Sequence, residues 1–312
     1  MDIIHYPDDP CPAQWARTIL ALGNFDGLHR GHTKIVECVR RRALKSSATA
    51  AVLTFDPHPP RVVRPDKAPA LLMTLDQKLG CLADVGMDGA AVVRFTKEMS
   101  RWEPEAFVYS VLVEWLHVAE VWVGANFLFG HDRRGNFSLL RSLGARYGFR
   151  VEKIDPVRYK EFVVSSTRIR RLISEGEVDE AGALLGHHYF VNGEVVRGSN
   201  RGRTHGFPTA NLRTENEILP LNGVYAATVT IDGIIHPAVT NVGRRPTFET
   251  AGERVVETHL LDYHGDLYGQ YVRVSFIQRL RDERAFDDAV ALKSQIKADC
   301  EDARALFDRM SL

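Results

Sequence analysis

At Gly186 the hydrophobic rhythm of this 312-residue chain changes, and that change constrains the fold more than any other feature. Before it, continuous apolar runs at residues 18–22, 48–55, 89–95, 119–124 and 149–154 alternate with segments of helical spacing. Such runs read as strands buried on both faces, and their alternation with helices predicts βαβ units. The expectation for residues 1–185 is a doubly wound α/β sheet with ligands at the carboxyl ends of its strands. Helices are expected at 75–85, 105–117 and 137–147, and after His32, where Ile35, Val36, Val39, Ala43 and Leu44 form an apolar face. After Gly186 the segments are short and alternating, at 189–196, 224–231, 234–240, 254–261 and 271–276, with turn pairs such as Asp232-Gly233 between them. They predict an antiparallel β-barrel over 186–312, with a C-terminal helix over 285–310 that packs Phe286, Val290, Ile296 and Leu306.

The run Gly23-Asn24-Phe25-Asp26-Gly27-Leu28-His29-Arg30-Gly31-His32 joins the first of those strands to the first helix. A glycine-rich strand-to-helix turn aims backbone amides and a positive helix end at one point, which suits an anion. His29 and His32 can donate to phosphate oxygens as charge builds in a transition state, and Gly31 leaves room for a nucleotide close to the backbone. A plain turn whose histidines cap the helix is the structural alternative. No Walker-type lysine loop and no Gly-x-Gly-x-x-Gly after a strand occurs, so phosphate chemistry here relies on histidines and amides. Two more motifs begin where strands end: Phe55-Asp56-Pro57-His58-Pro59 and Gly124-Ala125-Asn126-Phe127.

In the second half, glycines at 193, 198, 202 and 206 make a loop able to lie over phosphates, with Arg203 and Thr204 within it. Thr209 and Asn211 are two apart, so in an extended segment both project to one side, as hard oxygen ligands for Mg²⁺. An ordinary glycine-rich surface loop accounts for the same residues equally well. Forty acidic and forty basic side chains balance, which disfavours nucleic acid or an anionic membrane as partner. Cys11, Cys38, Cys81 and Cys300 are scattered without metal-ligand spacing, and neither a secretion signal nor a membrane span is present. A soluble cytoplasmic protein is expected. Its oligomeric state is not legible.

His29-x-Gly31-His32 resembles the His-x-Gly-His signature of the nucleotidyltransferase superfamily. The segments 193–198, 202–212, 220–225, 241–248, 256–262, 266–269 and 280–283, with 55–59, 124–130 and 165–170, are similar to those of bacterial bifunctional riboflavin kinase/FMN adenylyltransferases, the FAD synthetases. The resemblance spans roughly residues 18–307 in the family's order. It implies a Rossmann-like α/β nucleotidyltransferase domain over 1–185, which adenylylates FMN with ATP to FAD and pyrophosphate. It also implies a riboflavin kinase domain over 186–312, which makes FMN from riboflavin and ATP. Carried over by position, His29 and His32 hold the ATP phosphates, and Gly23, Asn24, Asp26 and Gly31 shape their turn. Asn126, Ser166, Thr167 and Arg170 meet nucleotide or flavin phosphates. In the kinase half Gly198, Gly202, Thr204 and Arg281 serve the nucleotide, Thr209 and Asn211 hold Mg–ATP, and Glu257 is the general base. Many relatives have Phe-Arg-Phe-Gly where this chain has Phe127-Leu128-Phe129-Gly130, so Leu128 removes a charge unless Arg133 or Arg134 substitutes. Adenylyltransferase activity is nonetheless expected. An enzyme with only its kinase half active, or a flavin-binding sensor without turnover, are the alternatives.

Overall fold

A computed structural model of the chain describes residues 1–198, 206–244 and 254–310. It forms two compact units, Met1–Ala70 with Leu75–Ser165, and Leu71–Thr74 with Ser166–Leu312.

The first unit contains β1 (Asp2–Tyr6), β2 (Thr18–Leu22), α1 (Arg30–Ser46), β3 (Thr49–Asp56), α2 (Pro59–Val63), α3 (Leu75–Asp84) and β4 (Gly89–Arg94). Then come α4 (Pro104–Phe107), β5 (Val118–Gly124), α5 (Phe137–Tyr147), β6 (Arg150–Ile154) and the ribbon of β7 (Arg158–Tyr159) with β8 (Phe162–Val163). The parallel sheet expected from the apolar runs is present, in the order β1-β4-β3-β2-β5-β6. β1 carries no comparable signal, because it lies at the edge and buries only Ile4. Every residue of central β2 is buried. Its neighbours are β3 on one side and β5 on the other, so the chain order reverses beside it, and ligands of such sheets bind at that switch point. The turn at 23–32 leaves the carboxyl end of β2, and Gly124 to Phe127 leave that of β5.

Ile35, Val36, Val39 and Ala43 of α1 are buried as expected, the three larger side chains each contributing about 1.5–3 kcal/mol. Leu44, expected on the same face, is 77% exposed: one residue past Ala43 is about 100° round the helix. The helix expected over 105–117 is α4 followed by a π-helix, Val108–Trp115, whose wider turn keeps Val108, Val111 and Leu112 in the core.

The second unit opens with α6 (Ser166–Glu175) and α7 (Val178–Leu185), and α7 packs on the barrel strands β9 (Tyr189–Val196) and β14 (Tyr271–Arg281). That packing is why this unit begins at Ser166, ahead of the rhythm change at Gly186. With β10 (Ala210–Thr214), β11 (Gly223–Ile231), β12 (Ile234–Arg244) and β13 (Arg254–Leu260) the barrel closes in the order β10-β13-β12-β11-β14-β9, all antiparallel. Tyr225 and Phe276 meet edge to face in its core, and Thr240 and Thr258 share a 3.0 Å hydrogen bond there. α8 (Ala289–Met310) covers part of the outside, packing Cys300, Ala303, Leu306 and Phe307 against Val224, Ala226 and Val239. Leu306 and Ile296 face the barrel as expected, but Val290 is 78% exposed and Phe286 precedes the helix. The buried stripe runs at spacings of three and four from Ile296, and Val290 falls outside it.

Candidate active sites

In the first unit the backbone of the 23–32 turn is forced into uncommon conformations. Phe25, Gly27 and Leu28 have φ of 50°, 86° and 36°. For Phe25 and Leu28 this costs of order 1–3 kcal/mol each, and both side chains are buried, which holds them there. The strain delivers His29 to the N-cap of α1, where its Nδ1 accepts the backbone N–H of His32 at 3.3 Å. A neutral His29 therefore carries its proton on Nε2. The two imidazoles stack, centroids 3.6 Å apart and planes 11° from parallel, and Phe25 meets His32 edge-on. Gly31 suits that stack, since a Cβ there presses on the His29 ring at 3.2 Å and the ring must give by a few tenths of an ångström. Burial pushes the His32 imidazole well below its ordinary value, and the fields of His29 and Lys78 push it further. Its Nδ1 is buried without a hydrogen-bond partner.

Lys78 escaped the sequence reading. Its helix α3 buries Leu79 and Leu82, and Lys78 lies on the same face, itself only 6% exposed. A lysine within an apolar stripe was the available signal. Its Nζ donates to Thr54 Oγ1 at 3.1 Å, and Thr54 Oγ1 donates to the carbonyl of Asn24 at 3.1 Å. Asp26 of the turn is buried beside this chain of bonds. Asn126 is exposed just past the end of β5. Leu128 is 47% exposed; of the candidate substitutes, Arg134 pairs with Glu103 at 3.2 Å and Arg133 is exposed. Arg30, inside the histidine motif, lies over the Tyr159 ring of the β7–β8 ribbon at 5.4 Å. Ser166, Thr167 and Arg170 open α6 in the second unit; Thr167 is exposed, Ser166 and Arg170 half-buried.

In the second unit one rung of the barrel gathers the expected polar residues. Asn211 stands opposite Glu257, Glu257 opposite Asn241, Asn241 opposite Val224, and Val224 opposite Arg281. Directly paired residues project to the same face. Val224 packs under α8, so the whole rung faces outward beside that helix. Arg281 grips it: Nε and Nη2 each reach a carboxylate oxygen of buried Asp299 at 2.8 Å. Thr209, Asn211, Leu260, His264, Asp266 and Tyr268 help line a cavity of about 420 Å³ at this end of the barrel. Arg197 lies over Tyr268 at 5.6 Å, bringing Gly198 against Asn211. A Cβ on Gly198 falls 2.2 Å from Asn211 Nδ2, so only glycine permits that approach. Two neutral oxygen donors beside a cavity, covered by bare backbone, fit a Mg²⁺ ion that shares its shell with phosphate oxygens. Gly202 and Thr204 lie outside the described residues.

A family model described as FAD synthetase matches residues 11–168, and one described as riboflavin kinase matches 185–307. The bifunctional riboflavin kinase/FMN adenylyltransferase of Pseudomonas fluorescens is 38% identical over 92% of each chain. The chain belongs to the bifunctional riboflavin kinase/FMN adenylyltransferase family. The same-named protein of Escherichia coli K12 is 38% identical over 93% of this chain and 92% of its own. That of Listeria monocytogenes is 37% identical over 94% and 93%. A crystal structure described as a macrolide-efflux protein from Streptococcus pneumoniae matches with a TM-score of 0.87 at 29% identity, covering 97% of this chain and 99% of that one. No described helix here is long and apolar enough to cross a membrane. The order of the two matches places the histidine turn in the FAD synthetase part and the Asn211–Glu257 rung in the flavokinase part.

Proposed function

We propose that the flavokinase part transfers the γ-phosphoryl group of ATP to the ribityl 5′-hydroxyl of riboflavin, and that the FAD synthetase part transfers AMP from a second ATP to the FMN formed. The observation that carries this reading is that each matched part holds its own polar constellation, the stacked His29–His32 pair in one and the Asn211–Glu257 rung in the other, and each suits phosphate chemistry.

In the kinase reaction Glu257 accepts the ribityl hydroxyl proton as the oxygen attacks the γ-phosphorus, and the bond to ADP breaks. Asn211 and Thr209 would hold a Mg²⁺ ion, which would neutralise phosphate charge. The backbone at Gly198 lies against Asn211, whose side chain is buried. In the adenylyl transfer a phosphate oxygen of FMN attacks the α-phosphorus, and pyrophosphate leaves. His29, with its proton on Nε2, and His32 donate to the oxygens on which charge accumulates. We place the enzyme in the cytoplasm, where its four free thiols persist.

Incubating the protein with riboflavin, ATP and Mg²⁺ and resolving FMN from FAD by chromatography tests the reading. His29→Ala is expected to abolish FAD formation from FMN and to leave FMN formation intact. Loss of both reactions from that one change overturns the assignment of separate sites.

A further inference from the structure

Lys78 is a buried cation that neither proposed reaction step has used. A lysine on the apolar face of a helix costs stability unless its charge is met, and a leucine or methionine fills the same space more cheaply. Here the charge is met by design of the surroundings. Among the described residues, Asp26 of the turn and Asp56 at the end of β3 favour the ammonium, while burial draws its pKa down. Its ammonium donates to Thr54 Oγ1, and Thr54 in turn donates to the carbonyl of Asn24, two residues from Asp26. The ammonium is therefore fixed beneath the histidine turn, on a different element from either histidine.

We propose that Lys78 is a positioning residue for adenylyl transfer, its ammonium tethering the 23–32 turn through Thr54 and placing a fixed positive charge beneath the His29–His32 pair. This rests on the reading of the histidine turn as the adenylyl-transfer site. Among the described residues, His29 and Phe25 from its own turn and Lys78 from α3 bear on His32. Two rings stacked at 3.6 Å disfavour a second proton, and a fixed cation nearby disfavours the first. A His32 kept neutral does not seize the ground-state polyphosphate as an ion pair. Its N–H groups gain most when the phosphoryl oxygens gain charge, which is the interaction that lowers a barrier.

Two neutral replacements test this. Lys78→Gln keeps a donor toward Thr54 and removes the charge; Lys78→Met removes both and stands in if the glutamine variant does not fold. The primary readout is the His32 imidazole titration by nitrogen-edited NMR on the full chain without substrates. In either neutral variant its midpoint is expected to rise, and in Lys78→Arg to stay at the unsubstituted position. FAD formation at neutral pH is expected to fall about tenfold or more, with its acid limb displaced to higher pH, while FMN formation by the same protein is unchanged. An unmoved His32 midpoint in a folded neutral variant overturns the proposal, as does undiminished FAD formation. If the unsubstituted protein makes no FAD, the adenylyl-transfer reading has failed instead, and the NMR midpoint still reports separately on Lys78.

Discussion

Asn211 and Glu257 stand directly opposite one another on β10 and β13, so an amide and a carboxylate far apart in the chain share one outer face of the barrel. The pairing register alone brings them together; a slip of one residue in β13 would bring Val256 or Thr258 opposite Asn211 instead.

Removing either side chain is expected to act on the kinase reaction only. Glu257→Gln keeps the volume and removes the proton acceptor, which costs about 10²- to 10⁴-fold in turnover for a general base. Asn211→Ala is expected to raise the Mg–ATP requirement as well. Steady-state FMN formation checks both, with FAD formation from supplied FMN as the control expected to stay unchanged.

Gly198→Ala places a methyl group 2.2 Å from the Asn211 amide, which is itself buried and cannot retreat freely. The variant is expected to fold and to lose at least about tenfold in FMN formation, because a displaced ligand of about 1 Å costs rate steeply. Circular dichroism with the coupled kinase assay separates this from general unfolding.

His32 makes the first unit sensitive to acid. Its native pKa lies well below the ordinary 6.5 through burial, with His29 and Lys78 adding to the shift. Below about pH 6.5 the unfolded chain binds a proton that the native state refuses, so stability is lost as pH falls, by up to about 1.4 kcal/mol per pH unit for one site. Above that pH the histidine contributes no slope. Urea midpoints between pH 5 and 7.5 are expected to fall on acidification and to do so less in His32→Gln.

Arg281→Ala strands the Asp299 carboxylate in the interface between barrel and α8, where its side chain is 4% exposed. Removing one partner of a buried pair costs about 3–5 kcal/mol, and the bond from Gln295 Nε2 to the same carboxylate places this case at the low end. Denaturant unfolding followed by the near-ultraviolet signal of the second unit measures it. Cys300, on the same helix and with its thiol pushed up to about 11 by burial, is expected to react with thiol reagents only once α8 has released.

Much of this was legible before any fold was drawn. Residues 18–22 read as a strand because all five are apolar or small enough to be buried on both faces, and the glycine–histidine turn after them read as suited to an anion because a strand-to-helix turn aims its amides at one point. Periodicity was less informative at edges and ends. β1 exposes most of its residues, Leu44 and Val290 are apolar residues that fall outside buried stripes, and the π-helix after α4 leaves no mark on a 3.6-residue pattern.

The sequence by itself determined the order of two architectures and the local chemistry of each motif, because apolar period and turn composition act over a few residues. Only the tertiary structure decided which distant groups share a site. Lys78 reaches the histidine turn from α3 by way of Thr54, Asn211 meets Glu257 through strand register, and Arg281 is committed to Asp299 across the barrel–helix interface. Each of these depends on packing between elements far apart in the chain, and burial, which sets the charge on His32 and Lys78, exists only once that packing is complete.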